Sequence, residues 1–165
     1  RDQPRSRGLG DVYKRQVVNE TMELALIQAE KLNARINTTI EPNLPAMNGD
    51  SVMLEQLLLN LLKNAMEAVQ PCPNHTIDLD VRLHESGSFI QFKVADHGTG
   101  IPDDTKTMLF DAFYSTKDEG MGMGLNICRS IVEVHHGRIV ISDTPGGGAT
   151  FTFTVPVARE HPDLM

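Results

Sequence analysis

Three glycines at alternating positions suggest a chemical function for one segment of this sequence. Gly120, Gly122 and Gly124 come directly before an apolar stretch with helical spacing. Backbone amides at a helix N-terminus, unobstructed by side chains, can bind phosphate groups. Lys117, shortly before them, can supply the positive charge that phosphates need. This segment is therefore predicted to bind phosphate and, with three glycines, to act as a hinged flap.

An acidic residue in a glycine-rich turn lies upstream. Asp96 follows a stretch of alternating apolar residues and precedes Gly98 and Gly100. A carboxylate only accepts hydrogen bonds, so it can bind the exocyclic amine of adenine but not the carbonyl of guanine. The two glycines let the backbone approach a flat ring closely. Such turns are common by themselves, but together with the phosphate segment this one predicts a nucleotide site.

Two asparagines lie off the apolar face of a helix predicted over residues 51–69. Asn60 and Asn64 are one turn apart and therefore adjacent, and Asp50 or Ser51 is the expected N-cap. Asparagine is a mediocre helix former, so the pair needs a reason. The two residues are either simply exposed to solvent or offer amide oxygens to a hard cation or a phosphate-bound water.

The elements that must position these residues follow from periodicity. Helical spacing predicts helices over residues 17–33, 51–69, 105–112 and 125–134, the last stopped by Gly137. Alternation predicts strands over residues 36–41, 76–83, 88–95, 138–142 and 149–157. Phe110 and Phe113 are either core residues or, as we prefer, the anchor of a flap. His97, His135 and His136 have no metal-ligand spacing and are expected to be structural or solvated.

Composition limits the class of protein. The chain has 165 residues, enough for one domain with a real core, and its net charge of -7 argues against nucleic-acid binding and against an anionic membrane surface. No apolar run approaches the ~18 residues of a membrane span, and no secretion signal is recognisable. Cys72 and Cys128 are expected to be two buried thiols in a reducing cytoplasm.

Residues 1–16 differ from the remainder of the chain. They hold five basic and two acidic residues and almost no apolar periodicity. The stretch D-V-Y-K-R-Q can be back-translated into a string that looks like a transposon mosaic end, so we interpret residues 1–16 as adaptor-derived or as a disordered tail. The domain is then expected over residues 17–158, with a C-terminal tail at 159–165. An adaptor would also imply that the natural protein continues upstream.

Taken together, these motifs resemble those of the ATP-binding catalytic domain of sensor histidine kinases, within the superfamily shared with gyrase B, HSP90 and MutL. N-L-L-K-N-A (60–65) resembles the N box, and D-H-G-T-G (96–100) the first glycine box. F-D-A-F (110–113) resembles the F box, and G-M-G-M-G-L (120–125) the second glycine box. G-G-G-A-T-F (146–151) resembles the closing segment. The sequence segments around Lys117 and Gly124 most resemble those of the oxygen- and nitrogen-sensing branch of these kinases.

The resemblance implies a fold and a set of roles. The fold is an α/β two-layer sandwich, a mixed sheet of about five strands with about three helices on one face. Asp96 binds adenine, Asn64 and Asn60 hold Mg²⁺ with Asn64 preferred as the direct ligand, and Thr150 reaches the adenine-side waters. The implied nucleotide-binding residues are Asn60, Asn64, Asp96, Gly98, Gly100, Lys117, Gly120, Gly122, Gly124, Leu125 and Thr150.

The resemblance also implies cofactors, partners and a reaction. ATP and Mg²⁺ bind, and the γ-phosphoryl group passes to a histidine on a dimerisation and phosphoacceptor domain absent from this chain, for a bacterial two-component system with a response regulator receiver domain. Asn60 stands where hydrolysing relatives have a glutamate base, so strong ATPase activity is not expected. The alternative is a catalytically inactive, ATP-binding regulatory module. A cytoplasmic location is expected, with any membrane anchor upstream. Two residues depart from the family pattern: His97 stands where asparagine is usual, and His136 stands where glycine is usual.

Overall fold

The computed structural model describes residues 10–110 and 123–158, with side chains described from residue 17 onward except that of Met123. Helices and strands follow in the order α1 (Gly10–Lys31), β1 (Arg35–Ile40), α2 (Ser51–Ala68), β2 (Thr76–Leu83), β3 (Phe89–Ala95), α3 (Asp103–Lys106), α4 (Met123–Val134), β4 (Ile139–Asp143) and β5 (Ala149–Pro156). Every predicted strand is present. Helix α1 includes residues 10–16, upstream of the stretch predicted from periodicity, and ends at Lys31.

The strands form one open, mixed sheet in the order β1-β2-β3-β5-β4. β1 pairs with β2 in parallel, and the other neighbours are antiparallel. β2 and β3 form the hairpin that the alternating pattern predicted. The central strands β3 and β5 come from distant parts of the sequence, so the middle of the sheet joins the two halves of the chain.

The helices cover one face of this sheet. α2 packs against α1, α4, β2 and β3, while α1 contacts β1 and α4 contacts β5. Every second residue of the central strands is buried under them, as period-2 alternation requires. Phe92 and Phe153 lie directly opposite each other and stack, with ring centroids 4.6 Å apart. The predicted two-layer sandwich with three long helices on one face is therefore confirmed.

Helix α2 begins with a side-chain cap and is tied to α4. Asp50 is the N-cap, and its carboxylate accepts the Met53 N–H at 3.0 Å, as predicted. The Asp50 N–H donates to Nε2 of the buried His135 at 3.0 Å, and Nδ1 of that ring lies 2.8 Å from the Ile131 carbonyl oxygen. Since Nε2 accepts and Nδ1 donates, His135 is a neutral, structural histidine.

The C-terminal end of α4 lies close to Gly137, the predicted stop. The residue in the left-handed conformation is His136, with φ 63°. The N–H groups of His136 and Gly137 bond the carbonyls of Glu133 and Val132 at 3.0 Å, which is the Schellman arrangement. Gly137 is required for a different reason: a Cβ there would overlap the carbonyl oxygen of Thr154. The helix therefore ends close to Gly137, as spacing predicted, and His136 is the residue with the left-handed conformation.

The long helices also bear on whether the chain could cross a bilayer. Within residues 10–110 and 123–158, none combines the length and apolar character that a membrane span requires.

Candidate functional site

Asp96 follows the last residue of β3 and lies beside the turn that precedes β5. Its side chain is 2% exposed. Carboxylate oxygen Oδ1 accepts the backbone N–H of Gly98 at 2.9 Å and that of Ala149 at 3.1 Å, while the Asp96 N–H donates to the Ala149 carbonyl at 2.9 Å. No hydrogen bond among the described residues engages Oδ2. One oxygen is thus fixed by the fold, and the other is left to accept a donor.

Burial sets the electrostatics of this carboxyl group. It raises the pKa of Asp96 above the ordinary 3.8, while the Gly98 and Ala149 amides and the nearby His97 act in the opposite direction. The ring of His97 does not enter the site but lies beside the sheet, with Nε2 3.2 Å from Oδ2 of Asp78. The site therefore has a desolvated acceptor whose charge is stabilised mainly by backbone dipoles.

Glycines allow the backbone to pack closely around Asp96. A Cβ at Gly98 would lie 2.5 Å from the carbonyl oxygen of Ala68, and a Cβ at Gly148 would overlap the carbonyl oxygen of Asp96. Gly148 also has φ 118°, where side chains are strained. Gly100, with φ 81°, lies against Gly148. The turn after β3 and the turn before β5 are therefore packed backbone to backbone.

Thr150 is brought to the same place. It is 8% exposed, pairs with Ala95 across the β3–β5 ladder, and its hydroxyl lies 2.9 Å from that of the buried Thr144. Thr150, which lies 50 residues after Gly100 in the sequence, is therefore brought together with Asp96, Gly98 and Gly100 at one end of β3 and β5.

Helix α2 leads away from this point and carries both asparagines. Its last residue, Ala68, touches Gly98; Asn64 precedes Ala68 by one turn and Asn60 by two. At 1.5 Å per residue, Asn60 is about 12 Å along the helix from the Gly98 contact. Both asparagine side chains are half-buried rather than freely exposed. The helix thus places them in a row that starts at the Asp96 turn.

Helix α4 lies beside the far end of that row. Burial raises the pKa of the Cys128 thiol, which is 0% exposed, to about 12, while the nearby Asn60 side chain acts in the opposite direction. Gly124 precedes Cys128 by one turn, in the first turn of α4, and Leu125 packs against the core. The structure therefore brings Asn60 next to the N-terminal turns of α4, where the glycine-rich segment ends. Lys117, Gly120, Gly122 and Phe113 lie outside the described residues.

Some residues of the site could not be identified from the spacing of residues in the sequence. The Ala149 amide and the fit of Gly148 arise from the β3–β5 pairing, and T-P-G-G-G indicated only a turn. Cys128 is buried as predicted, but which side chain it meets depends on how α2 and α4 pack. Cys72 is only half-buried, because it lies in the turn after α2. Phe110 packs against the core, which does not decide between its two predicted roles.

Comparison with known proteins gives the family context for this geometry. Residues 49–159 match the sequence profile described as histidine kinase-, DNA gyrase B-, and HSP90-like ATPase. The C4-dicarboxylate transport sensor protein DctS of Rhodobacter capsulatus is 43% identical over 145 residues, covering 88% of this chain and 22% of that protein. The sensor protein FixL of Bradyrhizobium diazoefficiens is 36% identical over 145 residues, covering 88% and 28%. The chain thus spans about a quarter of the length of these relatives.

Solved structures show the same architecture. The catalytic domain of histidine kinase ThkA superposes with a TM-score of 0.76 at 27% identity, covering 87% of this chain and 91% of that one. Full-length ShkA, solved in complex with AMPPNP, gives a TM-score of 0.76 at 26% identity, covering 89% and 31%. These chains are similar in fold over nearly their whole matched domain.

Proposed function

This chain belongs to the family of histidine kinase-, DNA gyrase B- and HSP90-like ATPases, and from that premise we propose that it is the catalytic domain of a sensor histidine kinase. Membership of an ATPase family makes it an ATP-binding domain. The proposed reaction transfers the γ-phosphoryl group of ATP to a histidine on a dimerisation and phosphoacceptor domain outside this chain. A response regulator receiver domain is the proposed partner downstream.

The buried Asp96 carboxylate is the observation that supports this function best. Two backbone amides hold Oδ1, and Oδ2 is left to accept the exocyclic amine of adenine. The close packing at Gly98 and Gly148 provides a flat wall without side chains. We propose that Gly100 and Thr150 complete this adenine end, with the Thr150 hydroxyl, paired to Thr144, contacting the waters beside the base.

The residues along α2 fit the phosphate end. Amide oxygens are ligands that Mg²⁺ accepts, and within residues 10–110 and 123–158 no cluster of His, Cys, Asp or Glu offers a competing centre. Mg²⁺, when bound, would neutralise phosphate charge. We propose Asn64 as its direct ligand, with Asn60 beside it, and Gly124 and Leu125 at the α4 N-terminus facing the phosphates. The second part of the flap, Lys117, Gly120 and Gly122, is proposed on sequence alone.

Asn60 also limits the reaction. An amide cannot remove a proton from water, so the site has no general base at the position where hydrolysing relatives have one. A histidine acceptor is already a nucleophile, and orientation with charge neutralisation then provides most of the catalysis. We therefore propose phosphotransfer with little intrinsic ATP hydrolysis.

We further propose the organisation of the chain. We propose that the domain spans residues 17–158, with residues 1–16 and 159–165 as tails; the family match covers residues 49–159. The proposed location is cytoplasmic, since ATP and the receiver domain are available there.

Calorimetric titration of AMPPNP with Mg²⁺ tests the adenine contact. Asp96→Asn keeps the Oδ1 acceptor but loses the charge that attracts the adenine amine. We expect affinity to fall roughly ten- to a hundredfold, the ~1.5–3 kcal/mol of a charged hydrogen bond.

The matched control is Asp80→Asn, on the solvent face of β2, where Asp80 pairs with Arg82 at 2.6 Å. It should bind like the wild-type chain. Unchanged affinity in Asp96→Asn would refute the assignment of the adenine site, and a folded wild-type chain that binds no nucleotide would refute the function.

A further inference from the structure

A cavity of about 340 Å³ lies between the sheet and the helical layer, at the end of β3 away from Asp96. Ile90, near the start of β3, lines the cavity, and Asp96 follows the last residue of that strand, so the two places lie roughly 20 Å apart. The volume is at the lower end of the ~300–1,000 Å³ typical of pockets that bury small organic ligands. The cavity is therefore separate from the proposed nucleotide site and large enough for a small ligand.

Apolar side chains form most of the wall of this cavity. Ile40, Val81 and Phe92 are in register on three neighbouring strands, and Val81 and Phe92 are buried. Val18 of α1 lines the cavity from the helical side. Ile40 is 39% exposed, so part of this apolar surface is left in contact with water. A ligand that covers Ile40 would remove that surface from water, which is favourable.

The loop at the mouth of the cavity is fixed at both ends. The N–H groups of Glu41 and Asn48 donate to a carbonyl oxygen of β2 at 2.8 Å and to one at the end of β5 at 2.9 Å. Between these two points, Leu44 and Met47 are buried and line the cavity. The cavity is therefore preformed, and a preformed site loses little conformational entropy when a ligand binds.

Glu41 supplies a charged group at the mouth. Its Oε1 accepts the Leu83 N–H at 2.9 Å, which fixes the carboxylate in place. Among the described residues, no hydrogen bond engages Oε2 and no salt bridge engages Glu41. Arg82, on β2, instead donates to both carboxylate oxygens of Asp80, at 3.2 and 2.6 Å. Because an ionised carboxylate only accepts hydrogen bonds and attracts cations, this mouth favours a positively charged donor.

We propose that this cavity is a second ligand site, for a small organic molecule with an apolar body and a protonated amine. The apolar body lies against Ile40, Val81 and Phe92, and the ammonium group donates to Oε2 of Glu41. The net charge of -7 also favours a cationic over an anionic ligand. This inference does not depend on the proposed ATP-binding function, because the two sites share no residue.

Three indoles with the same ring and different charge test the class of ligand: tryptamine, tryptophol and indole-3-propionate. Each is titrated into the 165-residue chain at low ionic strength, where screening is weak, and binding is followed by methyl NMR. We expect tryptamine to bind about three- to tenfold more tightly than indole-3-propionate, with tryptophol between them. Equal affinities, or no binding of tryptamine, would overturn the proposal.

Glu41→Gln tests the contact with the amine. Glutamine keeps an acceptor for the Leu83 N–H but removes the charge. Tryptamine affinity should fall about two- to fivefold, the range of a partly exposed ion pair, while tryptophol affinity should change little. Glu85→Gln, in the exposed turn between β2 and β3, is the matched control and should bind tryptamine like the wild type. Unchanged tryptamine affinity in a folded Glu41→Gln would overturn the proposed class of ligand.

The same spectra identify where tryptamine binds. Methyl resonances of Ile40, Val81 and Ile90 should shift, while those of Val140, on the edge strand β4, should not. Excess AMPPNP should not displace tryptamine, and displacement would mean that the amine occupies the nucleotide site, which would overturn the proposal. Absence of AMPPNP binding would overturn the proposed function and leave this site untouched.

The C-terminal end of the chain is the competing occupant. The Ala158 N–H donates to the Ala46 carbonyl at 2.7 Å, beside Met47 in the wall of the cavity. Leu164→Ser, an apolar residue of that end, should leave tryptamine affinity unchanged if the cavity takes a separate ligand. Higher affinity in Leu164→Ser would assign the cavity to the C-terminal end and overturn the proposal.

Discussion

The charge of the Asp96 carboxyl group should make nucleotide affinity depend on pH. Burial raises its pKa above 3.8 in the free protein, so on acidification it becomes protonated earlier than an ordinary aspartate. Protonation removes the negative acceptor, and affinity for AMPPNP should therefore fall as pH decreases through that raised pKa. Titration of the nucleotide phosphates is common to wild type and Asp96→Asn, so the ratio of their affinities isolates Asp96. A ratio that stays constant from pH 7.5 down to 3.8 would contradict this role.

The raised pKa of Asp96 affects the stability of the fold with the opposite dependence on pH. A carboxyl group with a higher pKa in the folded state stabilises the fold below its unfolded pKa, and that contribution is lost as pH rises through the folded pKa. Asp96→Asn keeps the Oδ1 acceptor without the buried charge. Its free energy of unfolding at pH 7.5 should thus be no lower than that of the wild type, in chemical denaturation. A clear loss of stability would show that the charge holds the turn together.

Gly148 should tolerate no side chain. Alanine there would place a Cβ against the Asp96 carbonyl and at φ 118°, whereas Gly146, φ 89°, has open space around it. Gly146→Ala should cost only the backbone strain of about 1–3 kcal/mol. Gly148→Ala should cost more in denaturant unfolding and should also lose nucleotide binding, because relief of the overlap moves Asp96. Equal effects of the two substitutions would contradict the close packing.

At the scale of elements, the backbone at the C-terminal end of α4 is strained, and a substitution could relieve that strain. His136 adopts φ 63° in the Schellman motif, which costs an ordinary residue about 1–2 kcal/mol and glycine almost nothing. After the larger entropy of glycine in the unfolded chain is subtracted, His136→Gly should raise the free energy of unfolding by about 0.5–1 kcal/mol. Asn33 occupies the equivalent position after α1, with φ 56°. Asparagine tolerates this conformation, so Asn33→Gly is the control and should gain less.

The contact between α1 and α2 includes two carboxyl groups and should respond to pH. Burial, together with a hydrogen bond and repulsion from Glu20, raises the pKa of Glu55 from 4.5 to about 7. The stabilising contribution of Glu55 is therefore present below pH 4.5 and lost as pH rises to 7 and beyond. Glu55→Gln should raise the thermal midpoint at pH 8 and leave it nearly unchanged at pH 4.5.

The exposed Glu85, in the turn between β2 and β3, is the matched control for this substitution. Glu85→Gln should change the midpoint little at either pH. A Glu55→Gln effect of the same size at both pH values would mean that the carboxyl pair does not titrate between them.

Elements with strong periodicity could be predicted from the sequence, and details that depend on their packing could not. The leucine pattern of α2 and the alternation of β2 and β3 each follow from one buried face. That His136 rather than Gly137 takes the left-handed conformation depends on which residue must approach Thr154, a contact between α4 and β5. The α1 start at Gly10 was missed because residues before Val17 have little apolar periodicity.

In the candidate site, too, some features could be predicted from the sequence and others depend on how the elements pack. Asp96 and the glycines next to it were predictable because a strand followed by D-x-G-x-G restricts what the turn can do. The pairing of Asp96 with Ala149 joins residues 53 positions apart, and no spacing within one segment contains that information.

At the scale of the whole molecule, the chain should need a second domain for phosphotransfer. Within residues 10–110 and 123–158, no histidine lies on a helix with an adjacent acidic residue ahead of the ATP-binding core. Incubation with Mg²⁺ and labelled ATP should therefore give no acid-labile phosphohistidine on this chain alone. A purified dimerisation and phosphoacceptor domain added in trans should become labelled, and Asp96→Asn should abolish that labelling. ATP binding without any labelling would instead favour a regulatory module.

The reciprocal bonding of Asp96 and Ala149 has a kinetic consequence. Each backbone N–H is engaged by the other residue, one by a carbonyl and one by the carboxylate, at the junction of β3 and β5. These amides should exchange with deuterated solvent only when the centre of the sheet opens, as slowly as the amides of Phe92 and Phe153. The adenine end of the pocket would then persist through every local fluctuation of the protein and disappear only on global unfolding, which makes the deuterium uptake of two amides a direct measure of how long the site survives.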